Sequence, residues 1–256
     1  MLPKVSILIP TYNRPHFFHQ ALRSALAQTY QNIEIVVGDN SDNNLTKRIV
    51  MHYIKNNRNI RYFQNEGNLG PVRNQQKCFD ASTGEFINYL MDDDLFHPQK
   101  IEKMMHYFLK HDDITLVTSH KQTIDENGRS FQLNQIPYTR LYNEDTILDG
   151  FTLGNMILRD KINYIGAPTM VLFRKKDLDE PFGVFAGKQA QNNVDVASWL
   201  NLLTKGKAVY MAKILSYFRV HKNQLTSLAS WNALSKGTRD WVNVVSDGPK
   251  KGFLRA

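Results

Sequence analysis

Three consecutive carboxylates, Asp92-Asp93-Asp94, are the sharpest chemical feature of this 256-residue chain. Adjacent carboxylates repel one another, and holding them beside an apolar segment is costly unless something positive neutralises them. Their oxygens are hard ligands for Mg²⁺ or Mn²⁺, ions that commonly bridge to substrate phosphates. A plainer role is to cap the helix that begins near Pro98. The run follows the apolar stretch Phe86-Ile87-Asn88-Tyr89-Leu90. In open α/β sheets, ligands bind at the carboxyl ends of such strands. Two other strand ends carry polar groups: Pro10-Thr11-Tyr12-Asn13-Arg14 and Asp39-Asn40-Ser41. An aromatic face such as Tyr12 can stack on a nucleobase, and a carboxylate such as Asp39 can accept a ring N–H. Between Asn65 and Asn74 a loop leads into a helix. Gly67 and Gly70 allow close approach there, and Arg73 can reach a phosphate. This loop lacks the Gly-Lys-Ser/Thr ending of a P-loop and the GxGxxG dinucleotide fingerprint.

The elements that must position these groups alternate along the first 120 residues. Val5 to Ile9, Ile33 to Val37, Ile60 to Phe63, Phe86 to Leu90 and Ile114 to Val117 are short β-rich apolar runs suited to buried strands. Between them Phe17, Phe18, Ala21, Leu22, Ala25 and Leu26, and then Ile101, Met104, Met105, Phe108 and Leu109, repeat at helical spacing. Pro15 and Pro98 sit where first-turn prolines belong. Such alternation predicts an α/β fold of right-handed βαβ units, with a mostly parallel central sheet flanked by helices.

After residue 120 the rhythm changes. Asp125 to Gly128 reads as a turn. Residues 143–162 read as helix, Thr169 to Phe173 as strand, and Val194 to Leu203 as a short helix. Lys207 to Val220 reads as one or two strands, and the last 35 or so residues as partly helical. The single cysteine, Cys78, excludes an intrachain disulfide and reads as a core residue. No stretch approaches the ~20 apolar residues of a membrane span. The N-terminus reads as a strand rather than a signal peptide.

The net charge of +8 is unevenly spread. From Lys205 onward there are ten Lys/Arg against two acids, whereas the first 204 residues balance 22 against 22. A basic end of this kind either attracts phosphates or an anionic membrane surface, or serves as a solvated face.

Together these residues resemble the GT-A glycosyltransferases of family 2, from Val5 to about Thr226. Val5 to Arg14 is similar to that family's opening strand and base-binding loop. Gly38-Asp39-Asn40-Ser41 resembles its second strand end, where the Asp contacts the base. Asn68-Leu69-Gly70-Pro71-Val72-Arg73-Asn74 resembles its Asn-x-Gly…Arg-Asn segment, and Asp93-Asp94-Leu95-Phe96-His97-Pro98 its Asp-Asp-x-x-x-Pro donor motif. Asp195-Val196-Ala197-Ser198-Trp199-Leu200 resembles Glu-Asp-x-x-x-Trp-Leu, whose Asp is the catalytic base. Tyr217-Phe218-Arg219-Val220-His221 resembles Tyr-x-Arg-x-His, whose His lies near the diphosphate or metal. Three positions depart from the pattern: Met91 where another Asp is frequent, Val194 where a Glu precedes the base, and Gly38 where an Asp is frequent. Asp92 is the substitute available for Met91.

The resemblance implies a GT-A, Rossmann-like fold over residues 1–226. Residues 1–120 would form the nucleotide-sugar half and 121–226 the acceptor and catalytic half, with 227–256 a basic C-terminal extension. It implies an inverting transfer from a nucleotide-diphosphate sugar, UDP-linked, to a hydroxyl of a glycan, glycoprotein or lipid-linked acceptor in bacterial-type polysaccharide or glycoconjugate synthesis. Asp195 would be the base. Pro10, Tyr12, Arg14, Asp39, Asn68, Gly70, Arg73, Asp92 and Asp93 would hold the donor. Asp93, Asp94 and His221 would hold Mn²⁺ or Mg²⁺. The acceptor would meet residues 152–174. A cytoplasmic protein is expected, peripheral to the inner membrane face through its basic end, with no nucleic-acid partner. Two alternatives stay open. A sugar nucleotidyltransferase would carry a Gly-rich, Lys/Arg-bearing loop where Pro10 to Arg14 stands. A catalytically weak sugar-binding partner subunit would explain Val194.

Overall fold

The structure, a computed structural model, describes residues 2–133, 139–222, 224 and 231–255, and the side chains of all of these except 231–234. The chain opens as β1 (Val5–Thr11), α1 (Pro15–Leu26), β2 (Ile33–Asp39), α2 (Leu45–Ile54), β3 (Ile60–Gln64), α3 (Pro71–Ala81) and β4 (Phe86–Tyr89). It continues through β5 (Leu95–Phe96), α4 (Lys100–Phe108), β6 (Ile114–Ile124), β7 (Ser130–Phe131), β8 (Thr146–Leu148) and α5 (Gly150–Asp160). The remainder is β9 (Leu172–Arg174), the small hairpin β10 (Val184–Phe185) and β11 (Lys188–Gln189), α6 (Val194–Leu203), β12 (Lys207–Arg219) and α7 (Trp231–Asp247).

Every residue of β1 and β2 is buried. Strands covered on both faces must be apolar throughout, which is why Val-Ser-Ile-Leu-Ile and Ile-Glu-Ile-Val-Val read as continuous runs. Successive side chains still point to opposite faces. Ile7 and Ile9 pack with Phe18 and Leu22 of α1 and with Ile101 and Met105 of α4. Leu8 packs on the other side with Cys78 of α3, Ile157 of α5 and Trp199 of α6.

The sheet runs β3-β2-β1-β4-β9-β6-β12-β5. Six of these strands, β3, β2, β1, β4, β6 and β12, point the same way, while β9 runs antiparallel between β4 and β6. From β1 the chain winds outward to β2 and β3, and α3 then returns it to β4 on the opposite side of β1. The carboxyl ends of β1 and β4 therefore flank the point where the winding reverses, which is where open α/β sheets form a ligand crevice.

Three readings change and one narrows. The stretch 143–162 is not one helix. Residues Thr146–Leu148 pair with β12, and the helix starts only at Gly150, where the Asp149 carboxylate accepts the Thr152 N–H at 2.8 Å. Gly150 lies so close to Leu203 and Gly206 that a Cβ would meet their carbonyl oxygens at 2.1 Å, so packing sets that helix start. The strand expected from Thr169 begins at Leu172, after a 3₁₀ turn over Pro168–Met170. Lys207 to Arg219 is a single strand whose length is interrupted by bulges. Pro98 precedes α4, whose N-cap is Gln99.

The basic C-terminus is packed into the fold. Val244 of α7 and Phe253 join the apolar cluster of α5 and α6. Phe253 lies against Gly154, where an added Cβ would fall 2.2 Å from its ring. Lys250 pairs with Asp247 at 2.7 Å, and Lys251 with Glu180. Among the described residues no helix is long and apolar enough to cross a membrane.

Candidate active site

The acidic run follows β4 and is folded into the crevice, each carboxylate with different partners. Asp92 ties two strand ends together. It accepts the Thr11 hydroxyl at 2.8 Å, the Tyr12 N–H at 3.4 Å and Arg14 Nη1 at 3.3 Å. Burial and the neighbouring Asp93 push its carboxyl above the usual carboxylate range, and Arg14, Thr11 and Tyr12 oppose that shift. Asp93 Oδ2 accepts Arg14 Nη1 at 2.8 Å and lies 3.0 Å from His221 Nε2. Asp94 faces the protein. Its oxygens accept the Thr169 hydroxyl at 2.5 Å and the Arg219 N–H at 2.9 Å. Burial and Asp93 push Asp94 up to about 8.

Arg219 holds this run in place. Fully buried, it donates from Nε to the Asp93 carbonyl at 2.7 Å and from Nη1 to the carbonyls of Asp125 and Glu126 at 2.9 and 3.1 Å. Nη2 donates to Gln20 Oε1 at 2.8 Å, and the guanidinium covers the Phe17 ring at 4.9 Å. The His221 ring packs on Phe17 as well, at 4.8 Å between centroids.

The sequence-expected metal set fits in part. Among the described residues no three His, Cys, Asp or Glu side chains converge as a complete metal cage. Asp93 Oδ2 and His221 Nε2 do converge, which suits an ion that takes its remaining ligands from phosphates and water. Asp94, expected beside them, turns its two oxygens inward to Thr169 and Arg219.

The neighbouring strand end forms a second cluster. Asp39 is fully buried and accepts the Ser41 N–H and the Tyr62 hydroxyl, each at 2.9 Å. Ser41 Oγ accepts the Asn13 N–H at 2.9 Å, joining the β1 and β2 loops. Asn13 adopts a left-handed φ of 52°, which turns the chain between Tyr12 and Arg14. The Tyr12 ring is 42% exposed, and Pro10 pairs with Gly38 inside the sheet. Asn68 Oδ1 accepts Asn40 Nδ2 at 3.1 Å and the Gly70 N–H at 2.9 Å. Gly70 has a φ of 78°, which favours glycine. Buried Asn65 and Asn74 complete this amide network behind the loop. Arg73 stands exposed on the first turn of α3, apart from both clusters.

Asp195 lies in the first turn of α6. Its carboxylate accepts the Val196 N–H at 2.9 Å and Asn163 Nδ2 at 2.8 Å. Burial pushes it up to about 6, against those bonds and the charge of Lys121. Lys121 is in turn charge-coupled to Asp94 and Asp195, which links the acidic run to this carboxylate. The supporting shell is ordered from afar. Trp199 Nε1 donates to the Gly166 carbonyl at 2.9 Å, fixing the loop that carries Asn163. Asp240 of α7 accepts the N–H groups of Gln191, Asn192 and Asn193 at 3.0, 2.7 and 2.9 Å, immediately before α6.

Sequence reasoning missed Lys121 and Asp240, named Thr11 only as a strand-end polar group and Asn163 and Thr169 only within the acceptor stretch 152–174, and gave Arg219 no role. Only the Asn-rich stretch from Asn65 to Asn74 carried a signal for its own network.

The half-buried Asp195 carboxylate and the strand-end acidic cluster lie on a sheet that reverses its winding between β1 and β4, an architecture of the GT-A type. The profile of glycosyl transferase family 2 matches residues 6–182, and the chain belongs to that family. It is 30% identical over 229 residues to an uncharacterized glycosyltransferase of Rickettsia typhi, covering 89% of this chain and 67% of that one. It is 25% identical over 239 residues to a putative teichuronic acid biosynthesis glycosyltransferase of Bacillus subtilis, covering 91% and 85%. A Rickettsia felis glycosyltransferase is 40% identical over 134 residues, which are 51% of this chain but 21% of that longer protein. The structure of S. aureus TarS in complex with UDP superposes with a TM-score of 0.70 at 19% identity, covering 94% of this chain and 64% of that one.

Proposed function

We propose that this enzyme is an inverting transferase that moves a sugar from a UDP-linked donor, a hexose or N-acetylhexosamine, to a hydroxyl acceptor. The observation that carries this reading is Asp195, a half-buried carboxylate that desolvation pushes up to about 6 and that Asn163 aims, separate from the acidic cluster at the sheet's switch point. A base works best when its pKa lies near the operating pH. Asp195 takes the proton of the acceptor hydroxyl. The hydroxyl oxygen forms a bond to the anomeric carbon as that carbon's bond to the diphosphate breaks, and UDP leaves. One such displacement inverts the anomeric configuration and needs no second, opposed carboxylate.

Tyr12 offers a face to the uracil ring and Asp39 an acceptor to its N–H. Asn68, Gly70 and Arg73 border the donor from the β3 side. Asp93 and His221 are the residues to hold Mg²⁺ or Mn²⁺, which would neutralise charge on the leaving diphosphate. Asp92 anchors the base-binding loop. Arg14, now shared between Asp92 and Asp93, is placed to follow the phosphates. TarS in complex with UDP supports the choice of nucleotide. Peripheral contact of the basic C-terminus with the inner membrane face belongs to the same reading.

The test is a screen of nucleotide sugars with and without Mn²⁺, read by released UDP. Turnover of a UDP-sugar that depends on the metal is expected. Turnover confined to a non-uridine donor, or none with any donor, defeats the proposal.

A further inference from the structure

The loop whose Asn163 holds Asp195 also lines, through Tyr164, Ile165 and Gly166, a cavity of about 130 Å³. Its wall includes Ser119, His120 and Lys121 of β6, Arg140, and Tyr164 and Gly166 of the loop itself. Three features set it apart. Its charged lining is basic, with Lys121, Arg140 and a titratable His120, and among the described residues no Asp or Glu lines it. Ser119 is 4% exposed, yet among the described residues its hydroxyl has no hydrogen-bond partner. The loop is shared by cavity and base. Asn163 Nδ2 donates both to Asp195 and, at 3.2 Å, to the Gly166 carbonyl.

A buried hydroxyl left unpaired costs roughly 1–3 kcal/mol and calls for a partner that fills the space beside it. Cations gathered around a cavity repel one another until an anion enters. Burial, then Arg140 and Lys121, lower the His120 pKa, and burial lowers Lys121 to about 8 against the opposing pull of Asp94 and Asp195. The volume has room for one oxyanion. Tyr164 is already committed, its hydroxyl donating to Asp160 at 2.8 Å, so it serves as wall rather than donor.

We propose that this cavity receives a phosphate or carboxylate group carried by the acceptor, and so orients the neighbouring hydroxyl toward Asp195. Ser119 donates its unpaired hydroxyl to the oxyanion, and Lys121 and Arg140 supply charge-assisted donors. The acceptor would then be an anionic glycan or phosphodiester rather than a neutral sugar. This rests on the transferase reading above, with Asp195 as base.

The cavity can be tested without an acceptor in hand. Inorganic phosphate and acetate are titrated separately into the ¹⁵N-labelled full chain, with UDP and Mg²⁺ present to fill the donor site. Shifts at the Ser119 and Lys121 amides are expected, and the tighter of the two anions names the acceptor's charged group. Arg140→Ala, an exposed position remote from Asp195, should weaken that anion roughly tenfold. Lys121→Met should weaken it at least as much. No perturbation at these amides with either anion, or shifts indifferent to both substitutions, overturns the proposal. In transfer assays the same anion should compete with the acceptor and leave the nucleotide-sugar KM unchanged; competition with the donor alone also overturns it. A chain that turns over no nucleotide sugar but still shows these shifts would defeat the transferase reading and leave the cavity an anion site.

Discussion

Asp195→Asn keeps the shape of the side chain and its bond from Val196 while removing the negative charge. A positioned base contributes about 10²–10⁴-fold to a transfer rate, and the substitution should cost that much in kcat. Donor binding should be untouched, because Asp195 shares no hydrogen bond with Asp92, Asp93 or His221. The pH profile gives a second magnitude. Burial raises the Asp195 pKa to about 6, so the ionised base is present above that value and is lost as pH falls through it. From about pH 7.5 to about pH 5 the ionised fraction drops roughly tenfold, and kcat/KM should follow. Asn163 is one of the donors that favour the charged form. A hydrogen bond to a charged group is worth about 1.5 kcal/mol, or about one pKa unit, so Asn163→Ala should move the acid limb toward neutral by that amount. The assays are UDP release and product formation across pH, with calorimetry of UDP and Mn²⁺ as the binding control. Transfer by Asp195→Asn within a factor of about ten of the native rate refutes the assignment. So does an acid limb that stays in place in Asn163→Ala.

Asp93→Ala should abolish the metal dependence of UDP affinity in calorimetry. Asp94→Asn should keep that dependence and lower thermal stability instead, because Asp94 serves Thr169 and Arg219. Asp240→Asn weakens three charge-assisted bonds to the segment before α6, so kcat should fall and the transfer pH profile shift while UDP affinity holds; a loss of stability of about 1–3 kcal/mol is expected in urea unfolding. Phe253→Ala should cost about 3–5 kcal/mol by the same measurement, whereas a loosely attached tail would lose almost nothing.

The sequence by itself determined the βαβ half and the strand ends that carry chemistry. Those features are local. A strand buried on both faces must be apolar throughout, and a helix between such strands must show one apolar stripe, so periodicity alone marks β1 to β4, α1 and α4. Contiguous motifs such as Asp92-Asp93-Asp94 and Asp195 with Trp199 were legible for the same reason. What each carboxylate does was decided by tertiary structure, because a carboxylate's role depends on which donors reach it. Asp94 is turned inward by groups 75 and 125 residues away, and Asp93 meets His221 across 128. No local pattern records those distances. The start of α5 was likewise set by close approach of Gly150 to Leu203 and Gly206, and the C-terminal helix gained its place through Phe253 against Gly154 and Asp240 behind α6. The acidic run looked like one metal site in sequence. Folded, Asp92 ties two strand ends, Asp93 meets Arg14 and His221, and Asp94 braces Thr169 and Arg219, because three adjacent side chains leave a turn in different directions and meet different neighbours.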